Sequence, residues 1–268
     1  MLRRIMLLTT RVAKMHPLEM RSARRQTVTR SRARYKPPET AGQIELSELL
    51  RQSGRAELET RQLDMLRRGE TTTGNDIIIY YAGDLTVLAR PAVAIVGTRE
   101  ASPVGLQRAD WLSRKLSEAN VCIVSGLAKG IDRAAHDGSI AVGGKTVAVI
   151  GTPLNKAYPA DNAELQELIY RQHLLVSPFA PGEVVYKSNF PARNRVMAAV
   201  SDATVIVEAS DTSGTLHQAA ECTRLKRWLF ISKAIVDDPA ITWPAKFLKY
   251  EKAVVLNRVS EILDRLHR

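Results

Sequence analysis

The 268-residue sequence is poor in cysteine, in long apolar runs and, at its beginning, in acid. Its two cysteines, Cys122 in a run expected to be a buried strand and Cys222 in an expected helix, offer neither a disulfide framework nor metal-ligand spacing. No metal and no cofactor is expected, and a reducing cytoplasm is the expected compartment. No apolar stretch approaches the roughly 18 residues that span a bilayer, so no membrane helix is expected, and residues 1–8 lack the apolar core and small-residue cleavage site of a secretory leader. What is present, 45% hydrophobic and 25% charged residues, suits a chain that buries a full core as one large domain with something smaller attached.

The scarcity of acid is local. Residues 1–36 hold eleven Lys and Arg against the single acid Glu19, a local excess of +10 out of +11 for the whole chain, which leaves a nearly neutral body. With few core-forming segments, residues 1–40 read as a disordered tail that adheres to polyanions. A solvated flexible tail, an organellar presequence, an extension upstream of a start at Met6, Met15 or Met20, and a nucleic-acid arm are all compatible with this composition. Lys36-Pro37-Pro38 marks a boundary. Residues 41–75 read as a helical connector, with a helix over 44–68 whose Leu46, Leu49, Leu50, Leu58, Leu63 and Leu66 recur at mixed spacings of three and four around a Ser53-Gly54 break.

From residue 76 onward the pattern is α/β. Residues 77–81 form a β-prone run, and 85–89 lead to Pro91. Strands are expected at 93–96, 121–124, 146–150, 174–177, 203–207 and 228–231. Helices are expected at 105–120, with Leu106, Ala109, Leu112 and Leu116 on one face, Ser102 as N-cap and Pro103 in the first turn, and at 163–171, 193–200 and 215–226. Residues 178–191 read as a long loop. Right-handed β-α-β crossovers bring the turns after successive strands, including those at Gly97 and Gly126, to one carboxyl edge of a mainly parallel sheet, a three-layer Rossmann-like fold. There the run 121–136 delivers Ser125-Gly126-Leu127-Ala128-Lys129-Gly130 and the start of a helix. Backbone N–H groups, the helix dipole and Lys129 favour an anion, and glycine removes the Cβ that would keep it away; a turn serving only to reverse the chain is the plain alternative.

The ordered motifs Gly97-Thr98-Arg99-x-x-Ser102-Pro103-x-Gly105, Ser125-Gly126-Leu127-Ala128-Lys129-Gly130-Ile131-Asp132-x-x-Ala135-His136, Tyr158-Pro159-x-x-Asn162, Asn189-Phe190-Pro191-x-Arg193-Asn194-Arg195, Glu208-Ala209 and Ser213-Gly214-Thr215 resemble the DprA/Smf family of DNA-processing proteins. The resemblance covers roughly 80–230, and more weakly the C-terminal end; it is one to the family core, without a winged-helix domain. It implies an extended Rossmann-like domain that binds single-stranded DNA, usually as a homodimer, and hands the strand to a RecA-type recombinase in natural transformation. One departure stands out: residues 232–239 carry none of the glycines the family has after the corresponding strand, so the pocket wall is expected to differ there.

The residues support strand binding independently. Gly97, Thr98, Arg99, Ser125, Gly126 and Lys129 are candidates for phosphate. Lys187, Arg193 and Arg195 around Phe190 offer cations beside an aromatic face, the combination that single-strand binding requires, and Ser213, Gly214 and Thr215 open a helix at the same edge. Arg99 as a solvated surface charge and Phe190 as a loop anchor are the competing readings. His136 reads as a structural histidine facing the sheet, with no Ser or Cys nucleophile beside it, and Asp132 as a cap or a partner for backbone N–H groups. No catalytic residue is assigned. Two alternatives use the same turns: a nucleotide-sensing pocket without turnover, and a nucleotide phosphoribohydrolase of the LOG type, which Arg195 and Ser213-Gly214-Thr215 resemble. The hydrolase needs a glutamate three positions after the Thr. Gln218 stands there, and an amide supplies neither a general base nor a charge; Glu221 lies one helical turn on.

Overall fold

A computed structural model describes residues 35–55 and 76–266. The basic stretch up to residue 34 and the expected helical positions Leu58, Leu63 and Leu66 lie outside the described residues. In chain order the strands are β1 (Gly42–Glu45), β2 (Ile78–Gly83), β3 (Ala92–Val96), β4 (Cys122–Ser125), β5 (Thr146–Val149), β6 (Leu174–Ser177), β7 (Ala203–Ile206), β8 (Trp228–Ser232) and β9 (Ala253–Leu256). The helices are α1 (Leu46–Gln52), α2 (Pro103–Glu118), α3 (Ile131–Ala141), α4 (Ala163–Gln172), α5 (Asn189–Ala199), α6 (Thr215–Arg224), α7 (Lys233–Val236), α8 (Pro244–Phe247) and α9 (Ser260–Leu266), with 3-10 turns at Leu85–Ala89 and Ala160–Asn162.

All nine strands join one sheet in the order β1-β2-β6-β5-β4-β3-β7-β8-β9. The pairs from β6 across to β9 are parallel, while β1 with β2 and β2 with β6 are antiparallel. Strand alternation divides the core between two faces. Ala94, Val96, Val124 and Val149 meet α1, α5 and α6 on one side. Val93, Ile95, Ile123 and Val205 meet α2, α3 and α9 on the other, where α4 covers Ala148 and Leu175. Strands covered on both faces have no polar side to show, which is why β3 to β7 read as short continuous apolar runs. The fold is therefore the three-layer, mainly parallel α/β arrangement.

Helix starts follow their local chemistry. Ser102 Oγ accepts the Gly105 N–H at 3.0 Å and Pro103 occupies the first turn of α2. The buried stripe of α2 runs through Ala109, Leu112 and Leu116, but Leu106, expected on it, is 38% exposed. Gly54, at φ +71°, follows the end of α1, and Leu46, Leu49 and Leu50 are buried as their spacing predicts. Ile44 instead lies in β1, because residues 42–45 alternate half-buried and exposed against β2 rather than entering the helix. Likewise α5 starts at Asn189, earlier than expected, since the first helical turn tolerates Pro191. Tyr35 docks onto this body: its hydroxyl donates to Leu154 O at 2.7 Å and accepts from Gln166 Nε2 at 2.8 Å.

Candidate nucleic-acid interface

The chain leaves β3 toward α2 on one face of the sheet and leaves β7, its neighbour, toward α6 on the other. Adjacent connections that part in this way open a crevice at the carboxyl ends of the two strands, the usual place for a ligand in an open α/β sheet. A cavity of about 370 Å³ occupies it, bounded by Gly97–Arg99 after β3, by 212–218 after β7 and by Phe190, Arg193 and Asn194 of α5. A smaller one of about 90 Å³ lies across Phe190 and Arg193, against Gly126, Lys129, Gly151 and Tyr158. Arg99, Ala128, Phe190 and Arg193 line both, so the two are lobes of one groove.

Close backbone approach builds the floor. Thr98 N–H donates to Glu208 O at 2.8 Å, and Thr98 O accepts from Ile131 N at 3.3 Å, tying the turn after β3 to β7 and to the start of α3. Gly130 has φ +74°, and any Cβ there would strike the Thr98 and Arg99 carbonyls. A Cβ on Gly126 would occupy the space of the Arg193 guanidinium. Arg193 is only 6% exposed. It donates through Nη1 to Val149 O, and its Nε has no partner. Burial pushes its pKa down to about 10, with Asp132 opposing the shift. Asp132 is buried as well and accepts from Gly126 N at 3.1 Å and Ala128 N at 3.4 Å, the backbone-partner role its position predicts. Burial raises its pKa, and the nearby Arg193 charge and these two N–H groups pull it back.

Above the floor, the Arg99 guanidinium sits 5.5 Å from the centre of the Phe190 ring, and Tyr158 lies 5.3 Å from the same ring at 45°. Tyr158 is 49% exposed. An aromatic pair and two arginines around an open groove provide stacking faces and phosphate partners together. Ser213 Oγ accepts the Thr215 N–H at 3.2 Å at the start of α6, and this rim is fixed from outside by Asp211, which accepts from Thr242 N and Trp243 N.

Not every expected residue reaches the groove. Ser125 is fully buried and its hydroxyl donates to Ile95 O at 2.6 Å, so it closes the sheet instead of facing an anion. Lys129 lines the smaller lobe, but its ammonium lies 2.5 Å from Asp161 Oδ2. Lys187 is exposed on the approach to α5 and lines neither lobe. Arg195, half-buried, turns toward Glu221 at 3.8 Å. Helical spacing explains the split, because positions 193 and 195 point about 200° apart on α5. His136 faces the sheet as expected, its Nδ1 2.7 Å from Thr146 Oγ1. Gln218 lines the larger lobe with its Nε2 donating to Thr204 Oγ1 at 3.2 Å, while Glu221 is held by Arg195 and Arg224. Residues 232–239 border a different cavity, so the wall expected to change through missing glycine is not a wall of this groove. Reading the sequence missed Tyr158 and His217 as groove residues. The Tyr158-Pro159 motif was a usable signal for the first.

A mainly parallel α/β sheet with an open, glycine-lined crevice at its carboxyl edge defines a Rossmann-like protein. Residues 67–267 match the family model of DNA recombination-mediator protein A, and the chain belongs to that family. It is 44% identical over 140 residues to DNA processing protein DprA of Streptococcus pneumoniae, a match covering 52% of this chain and 49% of that one. It is 31% identical over 173 residues to DprA of Bacillus subtilis, covering 64% and 58%. The chain thus spans about half the length of the curated relatives it matches. Among solved structures, DprA of S. pneumoniae superposes with a TM-score of 0.63 at 37% identity over 70% of this chain and 65% of the other. Helicobacter pylori DNA processing protein A, whose structure concerns its mode of binding single-stranded DNA, shares the fold with a TM-score of 0.66 at 23% identity, over 85% and 96%. No helix of the described residues is long and apolar enough to cross a membrane.

Proposed function

We propose that this chain binds single-stranded DNA in the groove at the β3/β7 crevice and does not turn it over. The observation that carries the reading is Arg193, a buried guanidinium near the buried Asp132 whose Nε has no hydrogen-bond partner and which lines both lobes beside Arg99 and the Phe190–Tyr158 pair. Phosphates sit near Gly97–Arg99, Arg193 and the Ser213-Gly214-Thr215 start of α6, and a splayed base stacks on Phe190. Family membership supports the same ligand. A homodimer acting in the cytoplasm and passing the strand to a RecA-type recombinase is the corresponding biological setting.

The larger lobe also has the volume of a small-ligand site, which makes nucleotide sensing the second reading. Fluorescence-anisotropy titration with a labelled oligonucleotide, single-stranded and duplex, with mononucleotides as competitors, separates the two. Preference for the single strand is expected. Phe190→Ala should weaken it by about 1–3 kcal/mol with the salt slope unchanged, because stacking is lost and no charge is removed. Mononucleotides that bind while oligonucleotides do not would transfer the groove to the sensing reading. Release of adenine from AMP above background would make the protein an enzyme in spite of Gln218.

A further inference from the structure

A second cavity of about 410 Å³ lies at the same carboxyl edge on the opposite face of the sheet, over the ends of β7, β8 and β9 and against α2. Arg108, Trp111, Arg258, Lys233 and Ser232 border it. Its charges are unequally engaged. Lys233 Nζ is 2.7 Å from Asp237, and the Glu261 carboxylate beside the cavity accepts the backbone N–H groups of Asn257 and Arg258. Arg108 and Arg258 are exposed, and among the described residues neither guanidinium is within ion-pairing distance of a carboxylate. Trp111, one helical turn from Arg108 on α2, is 53% exposed, an unusual position for the largest side chain. The cavity therefore offers two open cations and an aromatic face, the same combination as the groove.

It is also close to the groove along the chain. Val207 borders the second cavity and Ser210 the first, so the two lie three positions apart, roughly 10 Å of extended chain. The one acid between them, Glu208, is already committed: its carboxylate accepts from Ser102 N at 2.9 Å and Ser102 Oγ at 2.6 Å at the start of α2.

Resting on the single-strand reading above, we propose that this cavity is a second nucleotide-binding subsite, in which Trp111 stacks a base and Arg108 and Arg258 hold phosphate, so that a strand leaving the groove crosses the carboxyl edge to the other face. A nucleic-acid strand is favoured over a protein partner because both unpaired side chains are cations and the exposed apolar group is a single indole.

The test uses the full chain and oligothymidines of about four and about twelve residues, lengths at the low end and within the range of single-strand sites. Trp243 is buried and Trp228 stacks on Phe230, so Trp111 dominates the response of solvent-exposed tryptophan to ligand. The longer oligomer should quench it and the shorter should not. Trp111→Ala should weaken the longer oligomer about five- to a hundredfold. Arg108→Ala and Arg258→Ala should each reduce its salt slope by about 0.7, with the shorter oligomer unaffected. All three side chains are exposed, so thermal midpoints should stay near the parent's. Variants that bind the longer oligomer like the parent would remove the subsite and leave the groove standing; failure of the parent to bind either oligomer would remove both. A change in oligomeric mass in Trp111→Ala with unchanged DNA affinity would assign this face to self-association and overturn the proposal.

Discussion

Two buried arginines sit at opposite ends of the same sheet and differ in how far the protein satisfies them. Arg55, 3% exposed, lies at the amino ends of β3 and β7. It forms a two-pronged pair with Asp202 at 2.9 and 2.7 Å and donates to the carbonyls of Ser53, Leu88 and Arg90. Asp202 also accepts the Ala92 N–H at 2.7 Å. Arg193, at the carboxyl end, donates to one carbonyl and keeps a buried nitrogen without a partner. Burying a charge costs several kcal/mol unless the surroundings compensate. At the amino edge the fold supplies the whole compensation itself. At the carboxyl edge the buried Asp132 offsets the charge and one nitrogen stays without a partner, the difference on which the proposed binding role of Arg193 rests.

The largest expected effect breaks the satisfied site. Asp202→Ala strands the Arg55 charge and should cost about 3–5 kcal/mol in denaturant unfolding, with oligonucleotide affinity unchanged under folding conditions. Unfolding that matches the parent would mean that the two arginines are equivalent. The contrasting substitution, Arg193→Met, should lower single-strand affinity at least about tenfold, roughly 1.4 kcal/mol, and flatten the salt slope by about 0.7, while costing less stability than Asp202→Ala. Unaltered binding there would return Arg193 to the structural class.

Acid tests the interior behind the groove. Burial pushes His136 down from an ordinary 6.5 to about 3, and His173 to about 4. The Thr146 hydroxyl donates to Ile123 O at 2.8 Å, so His136 Nδ1 carries a proton and Nε2 is the protonation site, without a partner. A folded value below the unfolded one means that protons favour the unfolded chain. The stability linked to His136 is fully present above pH 6.5 and is lost as pH falls toward 3, about 2 kcal/mol by pH 5. Unfolding midpoints at pH 7.5 and 5 measure this, and His136→Gln should reduce the difference. The smallest effect is expected at Lys187: exposed and outside both lobes, its replacement by Ala should change affinity by less than about 0.5 kcal/mol in a titration.

Apolar runs of strand length followed by glycine turns made the parallel strands, their order along the chain and the position of the crevice legible, because a strand buried on both faces leaves an unmistakable composition. Edge elements did not show. At β9, Ala253–Leu256 is short and half-buried throughout, and β1 carries only weak alternation. For the groove, residue type was readable but direction was not. Sequence placed Ser125, Lys129, Lys187 and Arg195 with Arg193 and Phe190, yet strand pleat, helical angle and an acidic neighbour decide which side chains face the cavity. In the sequence Arg193 is one of three cations around Phe190; that it is the buried one depends on Gly126, whose missing side chain makes the room.

The position of β3 in the middle of the sheet also governs how the protein is assembled. Val93 pairs with Ile123 on one side, 30 residues away, and with Ala203 on the other, 110 residues away. During synthesis, β3 to β6 can therefore associate while the second edge of β3 still waits for β7, with its backbone groups unpaired and every side chain of the strand apolar. Long-range parallel pairing is slow, and the open edge of an apolar strand is a template for the wrong partner. The pairing of β7 with β3 that completes the crevice is the same step that seals the sheet against aggregation, so a nascent or refolding chain acquires the crevice only when it ceases to be sticky.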